Sequence, residues 1–107
     1  MAKVTNISLA GVGGQGIVMA GNIIAQAALA ADYDVKKNEI HGMAQRGGSV
    51  ISEVRFGEKV FSPVVPDGEV DVLLSLEMLE GLRHAHRLRK EGLIIADQVT
   101  IRPAVKP

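Results

Sequence analysis

The sequence predicts an open, mostly parallel α/β sheet with helices on both faces and an inserted antiparallel hairpin. Three observations lead there. Short β-leaning runs alternate with helical ones, a glycine-rich turn separates the first run from a helix of small residues, and two later runs, 72–74 and 93–96, are continuously apolar. Uninterrupted apolar runs of that length suit parallel strands buried on both faces.

Val4 to Ala10 carries Ile7 and Leu9 and stops at Gly11, as a first strand meeting a tight turn would. From Gln15 to Ala31 the chain is rich in Ala, Ile, Leu and Met. Val18, Gly21, Ala25, Ala28 and Leu29 recur at helical spacing and predict a flat face that packs closely on a sheet. Tyr33 to Glu39 reads as a second strand, so the first three elements form a βαβ unit with a right-handed crossover. Ser49 to Phe56, Gly57-Glu58 and Lys59 to Phe61 have the spacing of a two-residue hairpin, which Pro63 and Pro66 end before an Asp67-Gly68 turn. Asp71 to Ser75 is the next strand. The following helix has Glu77 and Glu80 early and Arg83, Arg87, Arg89 and Lys90 late, the order favoured by its dipole, with Gly92 as its stop. Leu93 to Ala96 is a further strand ending at Asp97, and Thr100 to Arg102 begins another before Pro103. Four parallel candidates and a hairpin are few for a doubly wound sheet. The expectation for residues 1–107 is therefore the front part of a longer domain.

Composition narrows the function. The chain has 107 residues, 47% apolar and 22% charged, enough for one domain with a core. Twelve Lys and Arg balance twelve Asp and Glu, which argues against a general nucleic-acid binder. Without cysteine the chain offers no disulfide, no thiolate-ligated cluster and no Cys nucleophile, so redox chemistry would borrow a cofactor held elsewhere. Met1 to Asn6 lacks the basic start of a secretory signal. The apolar stretch 16–31 is broken by Asn22 and Gln26 and falls short of the ~20 residues that span a bilayer. The expectation is a cytoplasmic protein with no membrane and no nucleic-acid partner.

Two segments carry candidate chemistry. Gly11, Gly13 and Gly16 form a G-x-G-x-x-G pattern between a strand and a helix, with Gly14 and Gln15 inside it. In a Rossmann-like fold such a turn aims helix N-terminal amides at a phosphate, and an acidic residue about 20 positions on binds ribose. Glu39, 23 positions after Gly16, is the candidate. The same glycines serve equally a turn that only packs helix against strand. The second segment runs from Glu39 to Gly48 and places Arg46, Gly47 and Gly48 beside that turn. Arg46 with glycine amides suits a phosphate or carboxylate; alternatively Gly47 and Gly48 merely turn the chain while Arg46 is solvated or pairs with Glu39. His84 and His86 point to different helix faces and make no shared metal site. Arg83, Arg87 and Lys90 read as a charged outer helix face, with an acidic partner surface as the other reading. Met78, Leu82, Ala85 and Leu88 form its apolar side, and Asp71 and Asp97 take turn and cap roles.

The blocks Gly11-Val12-Gly13-Gly14-Gln15-Gly16, His41 to Val50 and Val54-Arg55-Phe56-Gly57, in this order, resemble the gamma domain of the 2-oxoacid:ferredoxin oxidoreductases, and the small subunits of the indolepyruvate type most of all. The resemblance runs along nearly the whole chain and covers about the first half of such a subunit. It implies a non-catalytic accessory subunit of an enzyme that decarboxylates a 2-oxoacid on thiamine diphosphate, passes the acyl group to coenzyme A and sends electrons through iron–sulfur clusters to ferredoxin. In the indolepyruvate type an arylpyruvate gives an arylacetyl-CoA. The thiamine and cluster sites then belong to a large partner subunit, and this chain alone holds no cofactor. By position, Gly11, Gly13, Gly14, Gln15, Gly16, Arg46, Gly47 and Gly48 match the family's two glycine-rich blocks. They are expected to hold a coenzyme A phosphate or to contact the partner subunit. The rivals are a stand-alone NAD(P)-binding domain and a docking module without ligand.

Overall fold

A computed structural model describes residues 3–12, 15–41 and 49–97. The elements are β1 (Val4–Val12), α1 (Gln15–Ala30), β2 (Asp34–His41), β3 (Ser49–Gly57), β4 (Val70–Ser75), α2 (Met78–His84), a 3-10 turn (Ala85–Arg87) and β5 (Leu88–Ala96). The strands form one sheet in the order β2-β3-β1-β4-β5. β3 is antiparallel to both neighbours, while β4 is parallel to β1 and to β5. Four strands therefore run one way and only β3 opposes them, which is the mostly parallel open sheet expected.

Alternation along the strands divides the core between two faces. Leu9, Val50 and Val54 pack with Ile17 of α1, flanked by Ile7, Ala20, Ile24, Ala25, Val35 and Phe56. Close approach of α1 depends on Gly21, where a Cβ would stand 2.4 Å from Ser52 Oγ. On the other face Ala10, Val65, Val70 and Leu73 cluster with Leu88, and Gly81 brings α2 onto Ser75. Each fully buried aliphatic side chain contributes about 1.5–3 kcal/mol. Among the described residues no helix is long and apolar enough to cross a membrane.

β1, α1, β2, β3 and β4 lie where the pattern puts them, but the pairing and the remaining elements differ in three respects. First, β2 does not lie beside β1: β3 fills the place between, so the βαβ unit skips one strand. Second, the antiparallel hairpin consists of β2 and β3, and the hairpin expected of Ser49–Phe56 with Lys59–Phe61 does not form. Both edges of β3 are taken, by β1 and β2, and residues 58–69 leave the sheet. Third, α2 ends at His84, short of Gly92. Leu88 pairs with Val70, and Arg89 Nε reaches Asp71 Oδ1 at 2.5 Å, contacts that need an extended chain alongside β4. Arg83, Arg87 and Lys90 consequently share no helix face. Asp71 is neither a cap nor a turn residue: its Oδ2 accepts from the Asn6 backbone N–H at 2.8 Å. Apolar assignments also change: Leu29, Met78 and Leu82 are exposed while α2 buries Glu80 and Gly81 instead, and Leu93, Ile94 and Ile95 of β5, expected to be buried on both faces, are 55%, 43% and 50% exposed at the sheet edge. The strand expected at Thr100–Arg102 lies outside the described residues.

Candidate functional site: the glycine turn

All four parallel strands end on one side of the sheet, because Val12, His41, Ser75 and Ala96 are reached at matching register through β3 and β4. β1 ends there at Val12, and α1 starts at Gln15. Gly13 and Gly14 lie outside the described residues, as do Arg46, Gly47 and Gly48. Their flanks fix the neighbourhood. Ser49, next after Gly48, pairs with Val12, and Val50 faces Gly11 on one side and His41 on the other. Both glycine-rich blocks therefore enter and leave the sheet at one place.

Gly11 and Gly16 differ in what the fold asks of them. A Cβ on Gly11 would meet Ile17 Cδ1 at 2.8 Å and Cγ1 at 3.0 Å, and Ile17 is 2% exposed with little freedom to yield. Gly11 is thus needed for packing β1 against α1. A Cβ on exposed Gly16 would meet only Leu76 Cδ1, at an ordinary 3.8 Å. Nothing in the described packing requires a glycine there.

Leu76, which the sequence reading passed over, borders the turn. Its N–H donates to Ala10 O at 2.9 Å, and its side chain faces both Gly11 and Gly16. The next residue, buried Glu77, is committed to capping α2: Oε1 accepts from the Glu80 N–H at 2.9 Å and Oε2 from the Leu79 N–H at 3.1 Å. The sequence places Glu77 in the first turn of the helix; the structure makes it the N-cap instead.

Glu39 is poorly placed for ribose. Along the register Glu39–Ser52–Leu9, β3 separates it from β1 by two strand spacings, about 9–10 Å. Its Oε2 accepts from Lys37 Nζ at 2.7 Å, and the same ammonium donates to Asn22 Oδ1 at 2.5 Å. α1 begins at Gln15, three residues after β1 ends, and the N-terminus of a helix carries unpaired amides and the positive end of its dipole. Among the described residues no group of three His, Asp or Glu is arranged to hold a metal ion.

Residues 6–107 match the family described as Pyruvate ferredoxin/flavodoxin oxidoreductase. The chain is 50% identical over 101 residues to "Indolepyruvate oxidoreductase subunit IorB" of Thermococcus kodakarensis, which covers 94% of this chain and 50% of that protein. It spans about half the length of the curated relatives it matches. Among solved structures it is similar to the gamma subunit of a keto/oxoacid ferredoxin oxidoreductase from Geobacter sulfurreducens, with TM-score 0.69 and 29% identity over 87% of this chain and 50% of that one. The fold is also that of a 2-oxoglutarate:ferredoxin oxidoreductase from Magnetococcus marinus, with TM-score 0.73 and 21% identity over 98% of this chain and 18% of that one.

Proposed function

The chain belongs to the pyruvate ferredoxin/flavodoxin oxidoreductase family, and from that premise we propose that residues 1–107 are the front part of a gamma-type domain in a small accessory subunit. The observation that carries this reading is the 50% identity to an indolepyruvate oxidoreductase subunit along 94% of the chain. The enzyme it serves is a cytoplasmic oxidoreductase that converts arylpyruvates to arylacetyl-CoA with ferredoxin as acceptor. Thiamine diphosphate supplies the decarboxylation chemistry and iron–sulfur clusters the electron path, both on the large partner subunit; residues 1–107 contain no cysteine and supply no thiolate for such a cluster. The separation of Glu39 from β1 by a whole strand disfavours the stand-alone dinucleotide binder.

Within this reading Gly11, Gly13, Gly14, Gln15, Gly16, Arg46, Gly47 and Gly48 hold a coenzyme A phosphate or contact the large subunit. Support comes from the pairing of Val12 with Ser49, which brings the flanks of both blocks together, and from a Gly16 that packing does not require. The test is anaerobic co-expression of the full-length small subunit with its large partner, followed by co-purification and an arylpyruvate assay. Association and activity that need both chains are expected; failure to co-purify overturns the reading. Arg46→Ala should raise the KM for coenzyme A or weaken association, and an assembled enzyme with both unchanged removes the role given to that loop.

A further inference from the structure

Among the described residues the two edges of the sheet are built differently. β2, at one edge, carries Lys36, Lys37, Asn38 and Glu39 in succession, with Lys37 Nζ paired to Glu39 Oε2. Charges along an edge strand keep it in water and unpaired. β5, at the other edge, ends in Leu93, Ile94, Ile95 and Ala96, all of them exposed. Successive side chains alternate between the faces of a sheet, so this stretch stands uncovered on both. The first part of β5 is different again. Its register with β4 shifts between Val70 and Val72, Glu91 takes a left-handed φ of 71°, and Lys90 and Glu91 are exposed at the same place. That irregularity and its charges bar a neighbouring strand from residues 89–92. From Leu93 to Ala96 no such device protects the edge.

The backbone shows which groups are left over. The Asp97 N–H donates to Ser75 O at 2.9 Å, in a parallel ladder that sets Ile95 opposite Leu74. Alternation along that ladder aims the Ile95 N–H at β4 and the N–H groups of Ile94 and Ala96 away from the sheet. We propose that a strand from the second half of the full-length small subunit adds to β5 along residues 93–96, with helices of that half over Ile94 on one face and over Leu93 and Ile95 on the other. This rests on the reading of residues 1–107 as the front part of a longer domain. Length and coverage favour this occupant. The matched span is 50% of the curated relative, which leaves about as many residues again, room for more than one strand-and-helix unit of about 30 residues. A second copy pairing edge to edge would satisfy the outward amides but leave both faces of each β5 open. Strands of a parallel sheet are instead buried on both faces by the crossover helices of their own chain.

The test is amide hydrogen exchange, read residue by residue by NMR, on the isolated full-length small subunit at a dilution where it is monomeric. The Ile94 and Ala96 amides should exchange at least about 1,000-fold more slowly than in an unstructured peptide, as the Ile95 amide does. Ile94→Lys should lower the urea midpoint of that subunit, while Ile94→Val keeps it near wild type. Fast exchange at Ile94 and Ala96, whether or not Ile95 is protected, overturns the proposal. So does protection that arises only on dimerisation, which would make a second copy the occupant, or only with the large subunit bound. A small subunit that shows the protection as a monomer yet fails to bind the large subunit removes the accessory role and leaves the added strand standing.

Discussion

Arg87 donates through Nη1 to Oε2 of Glu53, joining the turn before β5 to the middle of β3. The Glu53 side chain is 1% exposed, and Ser8 Oγ donates to the same oxygen at 3.4 Å. Arg87 also donates from Nε to Asp67 Oδ1 at 3.0 Å and from Nη2 to the Val65 carbonyl at 2.9 Å. One guanidinium therefore ties β3, the 58–69 segment and β5 into a unit. A carboxylate this deep is tolerated only while a cation answers it.

Removing that cation should be costly. Arg87→Met is expected to lower stability by about 3–5 kcal/mol in urea unfolding, because Glu53 stays buried without the partner that offsets its desolvation. The double change Glu53→Met with Arg87→Met should cost less than Arg87→Met alone. A single-variant loss below about 1 kcal/mol would show that the pair carries little.

The same pair marks the limit of what the sequence displays. β1, α1 and β4 are legible because their signals are local: an apolar run, a glycine turn, a helical repeat of small residues. The position of β3 is not, because Ser52, Glu53 and Arg55 interrupt its apolar residues with polar side chains on both faces. They are buried or paired through Arg87, Asn6 and the 58–69 carbonyls, partners far along the chain. The end of α2 was misread for a related reason. Its basic run satisfies the helix dipole, but Arg87 meets Glu53 and Asp67 from the 3-10 turn and Arg89 meets Asp71 from the extended chain of β5. At the glycine turn the motif was legible and its neighbour Leu76 was not, since a leucine after a strand carries no distinguishing signal.

The contact of Gly21 with Ser52 gives a second expectation. Gly21→Ala puts a methyl against Ser52 Oγ, a buried hydroxyl with no hydrogen-bond partner among the described residues, and should cost about 1–3 kcal/mol by overpacking. Ser52→Ala removes both the clash and an unsatisfied polar atom. The double variant should regain most of the loss, a coupling that urea unfolding of the four proteins in the cycle measures directly. Additive effects would contradict the geometry.

Gly11 and Gly16 should separate folding from binding. Gly11→Ala pushes on buried Ile17 and should destabilise by about 1–3 kcal/mol. Gly16→Ala, at an open helical position, should leave stability unchanged or raise it by up to about 1 kcal/mol. If the turn receives a phosphate or a partner backbone, Gly16→Ala should nevertheless raise the KM for coenzyme A or weaken assembly with the large subunit. A fully active, normally assembled Gly16→Ala enzyme would leave the turn with a packing role only.

His84 supplies a pH dependence. Burial holds its imidazole below the ordinary 6.5; Arg87 and His86 act in the same direction, and Glu80, whose Oε1 lies 3.6 Å from Nε2, opposes them. Between the folded value and 6.5 the unfolded chain binds more protons than the folded one, so stability rises with pH across that window. The contribution is complete above 6.5 and is lost as pH falls through the folded value. Urea midpoints measured on either side of the window should therefore fall toward acid, and His84→Gln should flatten that slope while leaving the stability above it nearly unchanged. An NMR titration placing His84 above 6.5 would reverse the sign, because the attraction of Glu80 would then outweigh burial.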